Sequence, residues 1–183
     1  MRKLTMHELN RVSVEKFQAI QKIPVVIVLD NIRSQHNIGS VFRTADAFRV
    51  EKIMLCGISA TPPNREIQKT ALGATESVLW EYALDVSQAV KNLKEAGCQV
   101  IAVEQAEGSI SLAEFQPPAG GKIALVFGNE VNGVSEPVME IADGCIEIPQ
   151  FGTKHSFNVS VTAGIVLWEI FNRLNAGVVN QNK

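Results

Sequence analysis

Three polar segments, each containing glycine, carry the residues whose types and spacing could do chemistry. They are NIRSQHNIGSVFRTADAF at 31–48, FGNEVNGVS at 127–135 and IPQFGTKHSFNVSVTAG at 148–164. Each follows a short apolar run, and each is richer in amides, hydroxyls and glycine than a simple connector needs to be. If the apolar runs are parallel strands, the three segments meet at the carboxyl ends of the sheet, where ligands bind.

The first segment predicts a helix with an unusual charge on it. Asn37 can cap this helix, and Gly39 allows another group to approach its first turn. Exposed amides at such a helix start favour a phosphate. Arg43 lies on a strongly apolar helix, an odd place for a permanent charge unless its guanidinium reaches a cleft. Taken alone, however, a surface ion pair explains Arg43 better.

The second segment has the glycine spacing of a phosphate-binding P-loop without its lysine. Val134 stands at the lysine position, which disfavours a triphosphate site. The sequence also contains no G-x-G-x-x-G, so the dinucleotide-binding fingerprint is missing. What remains is a glycine-bounded loop with Asn129 and Glu130, for which a tight turn into the next helix is the plain interpretation.

The third segment runs from a strand end into a very apolar helix. Ser156 as the N-cap of this helix is a complete structural explanation for Ser156. It does not explain why Asn158 and Ser160 occupy the first turn as well. Nor does it explain why Lys154 and His155 flank them.

The elements that must position these segments alternate along the chain. Short β-branched runs separated by helical periodicity predict an α/β fold, a Rossmann-like parallel sheet with helices on both faces. Strands are predicted over 25–30, 52–57 and 78–82 and from Gln99, Lys122 and Cys145 onward. Helices are predicted over 37–48, up to Gly73, from an Asp85 cap to Gly97, after a Ser135 cap and over 156–174. The last helix is apolar on most sides, so burial in its own domain or against a second copy is expected.

Length and composition indicate one domain, over 24–175, with a basic extension over 1–23 and a disordered tail over 176–183. The first residues lack the apolar core of a signal peptide, and no apolar run is long enough to cross a bilayer, so a cytoplasmic protein is expected. The three cysteines lie far apart in apolar stretches, which favours reduced thiols. No two of the three histidines have metal-ligand spacing, so no metal site is expected.

Charge is unevenly distributed, although the net charge is only −2. Residues 1–70 contain 11 Lys and Arg against 6 Asp and Glu, whereas residues 71–183 contain 6 against 13. A basic first third can bind a phosphate backbone. On charge alone, a chance imbalance of solvated faces is the better explanation.

The order and spacing of the three segments resemble the signature motifs of the SpoU-TrmH RNA 2′-O-methyltransferases. The matching patterns are N-x-G-x-x-x-R-T-A, then F-G-N-E-x-x-G-V-S, then I-P-x-x-G-x-x-x-S-F-N-V-S-V-x-A-G. ALGATES at 71–77 also resembles the family's Gly-Ala segment, and the resemblance runs from about residue 24 to 174. It implies a sheet whose C-terminal part forms a deep trefoil knot, S-adenosylmethionine as cofactor, and a homodimer built on the knot region and terminal helix.

The resemblance also implies roles for particular residues. The family's catalytic arginine falls on Arg43, and the supporting polar residues fall on Asn37, Glu130, Ser156 and Asn158. The cofactor-binding positions fall on Val103, Gly128, Gly133, Ile148 and Phe157, the last in place of the family's usual leucine. A side chain at position 128 is expected to occupy the cofactor's space. Arginine is a poor base, so a grip on a neighbouring phosphate and stabilisation of alkoxide charge are preferred for Arg43 over direct deprotonation.

The function implied is methylation of a ribose 2′-hydroxyl in structured RNA, with tRNA as the first expectation and rRNA as the second. One alternative is a protein of the same fold that binds RNA or a nucleotide without turnover, and the intact set of polar residues argues against it. Another is an ordinary nucleotide-binding α/β enzyme, which the missing fingerprints disfavour. The extension over 1–23, with 5 Lys and Arg against 2 Asp and Glu, is expected to contact the RNA.

Overall fold

A seven-stranded parallel sheet organises the part of the chain that the computed structural model describes, residues 1–5, 8, 12–154 and 156–179. The strands are β1 Ile23–Asp30, β2 Val50–Cys56, β3 Leu79–Ala83, β4 Cys98–Val103, β5 Ile110–Ser111, β6 Lys122–Phe127 and β7 Gly144–Glu147. Their order across the sheet is β3-β2-β1-β6-β4-β7-β5, and all the recorded pairings are parallel. The predicted fold class is confirmed; the two-residue β5 was not predicted, because so short a strand has no readable periodicity.

Helices cover both faces of the sheet. They are α1 Val14–Ala19, α2 Gln35–Ala47, α3 Arg65–Ala71, α4 Ala74–Ser77, α5 Val86–Glu95, α6 Glu136–Ile141 and α7 Val159–Val179. Helices α1 to α4 and α7 contribute to the larger apolar core on one face, and α5 and α6 contribute to a second core on the other. None of the helices in the described residues is long and apolar enough to cross a membrane.

Strand β1 lies in the middle of the sheet and is buried on both sides. Ile27 and Leu29 point into the larger core, whereas Val26 and Val28 point into the smaller one. A central parallel strand therefore needs apolar residues at every position, which is why the sequence shows a continuous apolar run here.

Helix α2 begins earlier than predicted, and Asn37 is not its cap. Ser34 is the N-cap, and its Oγ accepts a hydrogen bond from the backbone N–H of Asn37 at 3.3 Å. Asn37 therefore lies in the first turn, and its side chain is available for contacts outside the helix. The sequence contains both candidate caps within four residues, and local propensity alone does not separate them.

Helix α7 begins later than predicted, so Ser156 is not its N-cap. The helix starts at Val159, and the Oδ1 of Asn158 accepts a hydrogen bond from the N–H of Ser160 at 2.9 Å. Asn158, immediately before the helix, provides the cap. At its other end the helix continues to Val179, into the segment predicted to be a disordered tail. Residues 180–183 and His155 lie outside the described residues.

Two of the other predicted caps behave as expected and one does not. The Oδ1 of Asp85 accepts from the N–H of Gln88 at 3.0 Å, and Gly97 has a φ of +83° just beyond α5. Ser135 precedes α6 as predicted, but its side chain makes no capping hydrogen bond. Instead its N–H donates to Oδ2 of Asp30 at 2.8 Å. This contact ties the start of α6 to the carboxyl end of β1.

Candidate functional site

A cleft of about 680 Å³ opens at the carboxyl ends of the neighbouring strands β6, β4 and β7. Its walls come from the segments that follow these strands and from the start of α7; they comprise residues 103–105, 127–134, 147–148, 150, 156–159 and 162. All five residues predicted to hold a cofactor line this cleft: Val103, Gly128, Gly133, Ile148 and Phe157. Of the residues predicted to be catalytic, Glu130, Ser156 and Asn158 line it, whereas Asn37 and Arg43 do not.

The wall that follows β6 is a turn closed by its own hydrogen bonds. The backbones of Asn129 and Gly133 exchange two N–H to carbonyl bonds, each 3.0 Å long. The Oδ1 of Asn129 also accepts from the N–H groups of Val131 and Asn132, both at 2.8 Å. The predicted tight turn is therefore present, and it is pre-formed beside the cleft.

The glycines of this turn are required by its own backbone. A Cβ on Gly128 would lie 1.9 Å from the carbonyl carbon of Gly133 and 2.0 Å from the nitrogen of Val134. Gly133 has a φ of +68°, and a Cβ there would lie 2.1 Å from Oε2 of Glu104. The same Oε2 accepts from the N–H of Val134 at 3.1 Å, which ties the turn to the end of β4. The need for glycine at 128 thus exists whether or not a ligand is bound.

A chain of hydrogen bonds joins the three polar segments. The amide nitrogen of Asn37 donates to Oε1 of Glu130 at 3.0 Å, and Oδ1 of Asn37 accepts from the amide of Asn158 at 3.1 Å. Glu130 also accepts from the backbone N–H groups of Arg33 at 3.1 Å and Ser34 at 3.2 Å. Residues separated by 93 and 121 positions are thereby fixed relative to each other.

These hydrogen bonds also lower the pKa of Glu130. Partial burial acts to raise the pKa of Glu130. The hydrogen bonds it accepts from its own N–H, the Asn37 amide and the N–H groups of Arg33 and Ser34 outweigh burial, so its pKa lies below the ordinary value. The carboxylate is consequently a weak base whose acceptor positions are largely occupied, which suits it to orienting Asn37.

Arg43 lies on α2, six residues beyond Asn37, with its side chain exposed. Among the described residues its guanidinium has neither a hydrogen bond nor an ion pair, so the surface ion pair that could have explained it is absent there. An unpaired guanidinium has five donors available for a phosphate or another anion.

Close packing against α3 holds α2 in place. A Cβ on Gly39 would lie 2.2 Å from both the carbonyl oxygen of Ile67 and Oγ1 of Thr70. Gly39 therefore does allow another group to approach, as predicted, and that group is α3. Thr70 also donates to the carbonyl of His36 at 2.9 Å. The position of Arg43 is set by this rigid pair of helices.

Sequence reasoning missed two acidic residues that build the site. Asp30 is buried at the end of β1 and holds α6, and Glu104 directly follows β4 and holds the 128–133 turn. Both stand immediately at the carboxyl end of a predicted strand, which is the signal that could have found them. No group of three or more metal-ligating side chains occurs in the described residues.

Comparison with known proteins identifies a family. Residues 24–168 match the model of the SpoU rRNA Methylase family. The 23S rRNA (guanosine-2′-O-)-methyltransferase RlmB of Neisseria meningitidis serogroup B is 34% identical over 161 residues, covering 87% of this chain and 63% of that protein. The protein of the same name from Vibrio parahaemolyticus is 31% identical, covering 88% and 64%. The chain thus spans less than two thirds of the length of these relatives.

Solved structures show the same architecture. An AdoMet-bound rRNA methyltransferase from Sinorhizobium meliloti superposes with a TM-score of 0.77 at 28% identity, covering 86% of this chain and 59% of that one. A TrmH/SpoU tRNA modifying enzyme of A. aeolicus superposes with a TM-score of 0.78 at 29% identity, covering 90% and 81%. The trefoil knot stays a prediction, because strand order and pairing do not define threading. With a family match over most of its length and this shared architecture, the chain belongs to the SpoU rRNA methylase family.

Proposed function

We propose that the chain is an RNA 2′-O-methyltransferase that uses S-adenosylmethionine. The observation that carries this proposal is the hydrogen-bonded set Glu130–Asn37–Asn158, which joins all three polar segments at the cleft. Arg43 lies on the same helix as Asn37, six residues further along. The names of the relatives support it, since they describe RNA methyltransferases and, in one solved structure, a bound AdoMet.

The cleft fits such a cofactor in size and in the chemistry of its walls. Its volume of about 680 Å³ lies within the usual range of small-molecule sites. Val103, Gly128, Ile148 and Phe157 line the cleft. The backbone of the first three is proposed to bind the adenosine, and the ring of Phe157 to pack against it. The cofactor, when bound, supplies a methyl group already activated by its sulfonium. The protein then has to position a hydroxyl and assist the loss of its proton.

Arg43 is proposed to bind the phosphate next to the target ribose and to stabilise negative charge on the attacking oxygen. Its exposure and its lack of a protein partner in the described residues leave the guanidinium free for this role. Glu130 and Asn158 fix Asn37 from both sides, so the amide has one orientation. Ser156, on the cleft wall, is proposed to contact the substrate or cofactor.

Ribosomal RNA is the proposed substrate class, with tRNA second. The curated relatives described above act on 23S rRNA by name, whereas one structural neighbour is a tRNA modifying enzyme. This reverses the order expected from the sequence resemblance. The three cysteines are free thiols, which supports a reducing, cytoplasmic setting for the proposed reaction.

A second copy of the chain is proposed to cover one side of α7. Val166 and Ile170 on its inner side are buried, whereas Val161, Ile165 and Trp168 form an exposed apolar stripe at helical spacing. Exposed apolar residues in a contiguous row are characteristic of an interaction surface. This stripe supports the expected homodimer.

The direct test is transfer of labelled methyl from S-adenosylmethionine to total rRNA and to bulk tRNA, both from cells that lack this gene. The wild-type chain should label one pool in alkali-resistant linkages, and Arg43→Ala should lower the rate about 100-fold or more while cofactor binding persists. Lys91→Ala is the matched control, since Lys91 is an exposed cation on α5, on the opposite face of the sheet. Cofactor binding without transfer to either pool would instead favour an RNA-binding protein without turnover.

A further inference from the structure

The loop between β7 and α7, residues 148–158, carries an aromatic ring that the fold does not use. Gln150 and Ser156 both line the cleft, and Phe151 lies between them in the sequence. Phe151 is 97% exposed and has no ring contact among the described residues. Folding therefore leaves a large apolar side chain in water, one residue along the chain from the cleft-lining Gln150.

The surroundings of this ring match the chemistry of a nucleic acid. Lys154 on the same loop is exposed and has no ion pair among the described residues. The side chain of Val131, on the turn that follows β6, is 66% exposed and also lines the cleft. An exposed aromatic and an exposed, unpaired cation three residues apart on one loop offer a face for a base and a charge for the adjoining phosphate.

The proposed reaction would benefit from such a contact. Sequence-specific RNA-binding proteins mostly recognise single-stranded nucleotides, and they commonly stack an unpaired base on an aromatic ring. We infer that Phe151 stacks on a nucleobase at or next to the methylated nucleotide and so positions the RNA. This inference rests on the proposed function, because it names the part of the substrate that the 148–158 loop reads.

The test compares Phe151→Ala with Phe151→Trp, which keeps an aromatic face. Leu84→Ala serves as the control, since Leu84 is 80% exposed just after β3, the strand at the opposite edge of the sheet. Binding of total rRNA and of bulk tRNA is measured by titration, alongside KM and kcat for methyl transfer. Phe151→Ala should weaken RNA binding and raise KM about 10-fold, a change of about 1.4 kcal/mol, within the range for loss of one stacked base. Phe151→Trp and Leu84→Ala should stay within about 2-fold of wild type, as should cofactor affinity in all variants.

Two results would overturn the inference. One is an RNA affinity that Phe151→Ala leaves unchanged. The other is a change in sedimentation of Phe151→Ala without RNA, which would make the ring a contact between copies. Failure of the proposed function looks different, since the wild-type chain would then transfer no methyl to either RNA pool, and the binding titration would still report on Phe151.

Discussion

Replacing Gly128 by alanine tests whether glycine is needed there by the protein or by a ligand. The added Cβ would lie 1.9 Å from the carbonyl carbon of Gly133, whereas ordinary contacts begin near 3.4 Å. The neighbouring backbone must therefore move by roughly 1.5 Å, which is too far for its hydrogen bonds to survive. The two 3.0 Å bonds between Asn129 and Gly133 and the 3.1 Å bond from Val134 to Glu104 are the ones at risk.

The loss of stability follows from these three bonds. At about 1 kcal/mol for each hydrogen bond, the free energy of unfolding should fall by about 2–4 kcal/mol. A chain of 183 residues loses roughly 2–4 °C in Tm for each kcal/mol, so Tm should drop by about 4–16 °C. The measurement is thermal unfolding of the ligand-free protein, followed by circular dichroism.

Gly152→Ala is the matched control, because a Cβ on Gly152 meets nothing within 4 Å and its backbone has no positive φ. Its Tm should change by no more than about 2 °C. If Gly128→Ala unfolds like the wild type without ligand and loses only S-adenosylmethionine binding, the clash within the turn is not the reason for glycine. The expectation that a side chain would fill the cofactor's space would then be the correct one.

Three further predictions concern charge, the N-terminus and α7. Glu130→Gln should lower the free energy of unfolding by about 1–2 kcal/mol at pH 7. Because folding lowers the pKa of Glu130, this difference from wild type should shrink as the pH falls below the ordinary pKa of 4.5. A difference in urea titrations that does not depend on pH would refute this prediction. Deleting residues 1–12, which spares α1 and its buried Phe17, should weaken RNA binding with cofactor affinity unchanged, and equal RNA affinity by titration would argue against contact. Trp168→Glu should shift sedimentation from dimer to monomer, whereas Leu84→Glu at the other edge of the sheet should not. If the wild-type chain sediments as a monomer, the proposed dimer is wrong.

Local patterns in the sequence predicted the framework well. Continuous apolar runs identified the strands around β1, β2, β4 and β6, because strands buried on both faces require apolar residues at each position. Capping chemistry located the start of α5 at Asp85, because an N-cap hydrogen bond spans only three residues. Features decided within a few residues are visible to such reasoning.

Helix starts with several candidate caps were less predictable. Ser34 rather than Asn37 caps α2, and Asn158 rather than Ser156 precedes α7. In both cases the sequence offers two good capping residues within four positions. At α2 the side chain of Asn37 donates to Glu130 and does not cap the helix. That competitor lies far away in the chain, so no local rule includes it.

The sequence by itself determined which residues stand at the strand ends and, through the spacing of its three motifs, the family. Only the tertiary structure decided how those residues meet. The bonds from Asn37 to Glu130 and Asn158 cross 93 and 121 residues, and the requirement for glycine at 128 arises from the approach of the backbone at 133–134. Periodicity and capping act over a few residues, whereas a site at the end of a parallel sheet is assembled from segments that the strand order brings together.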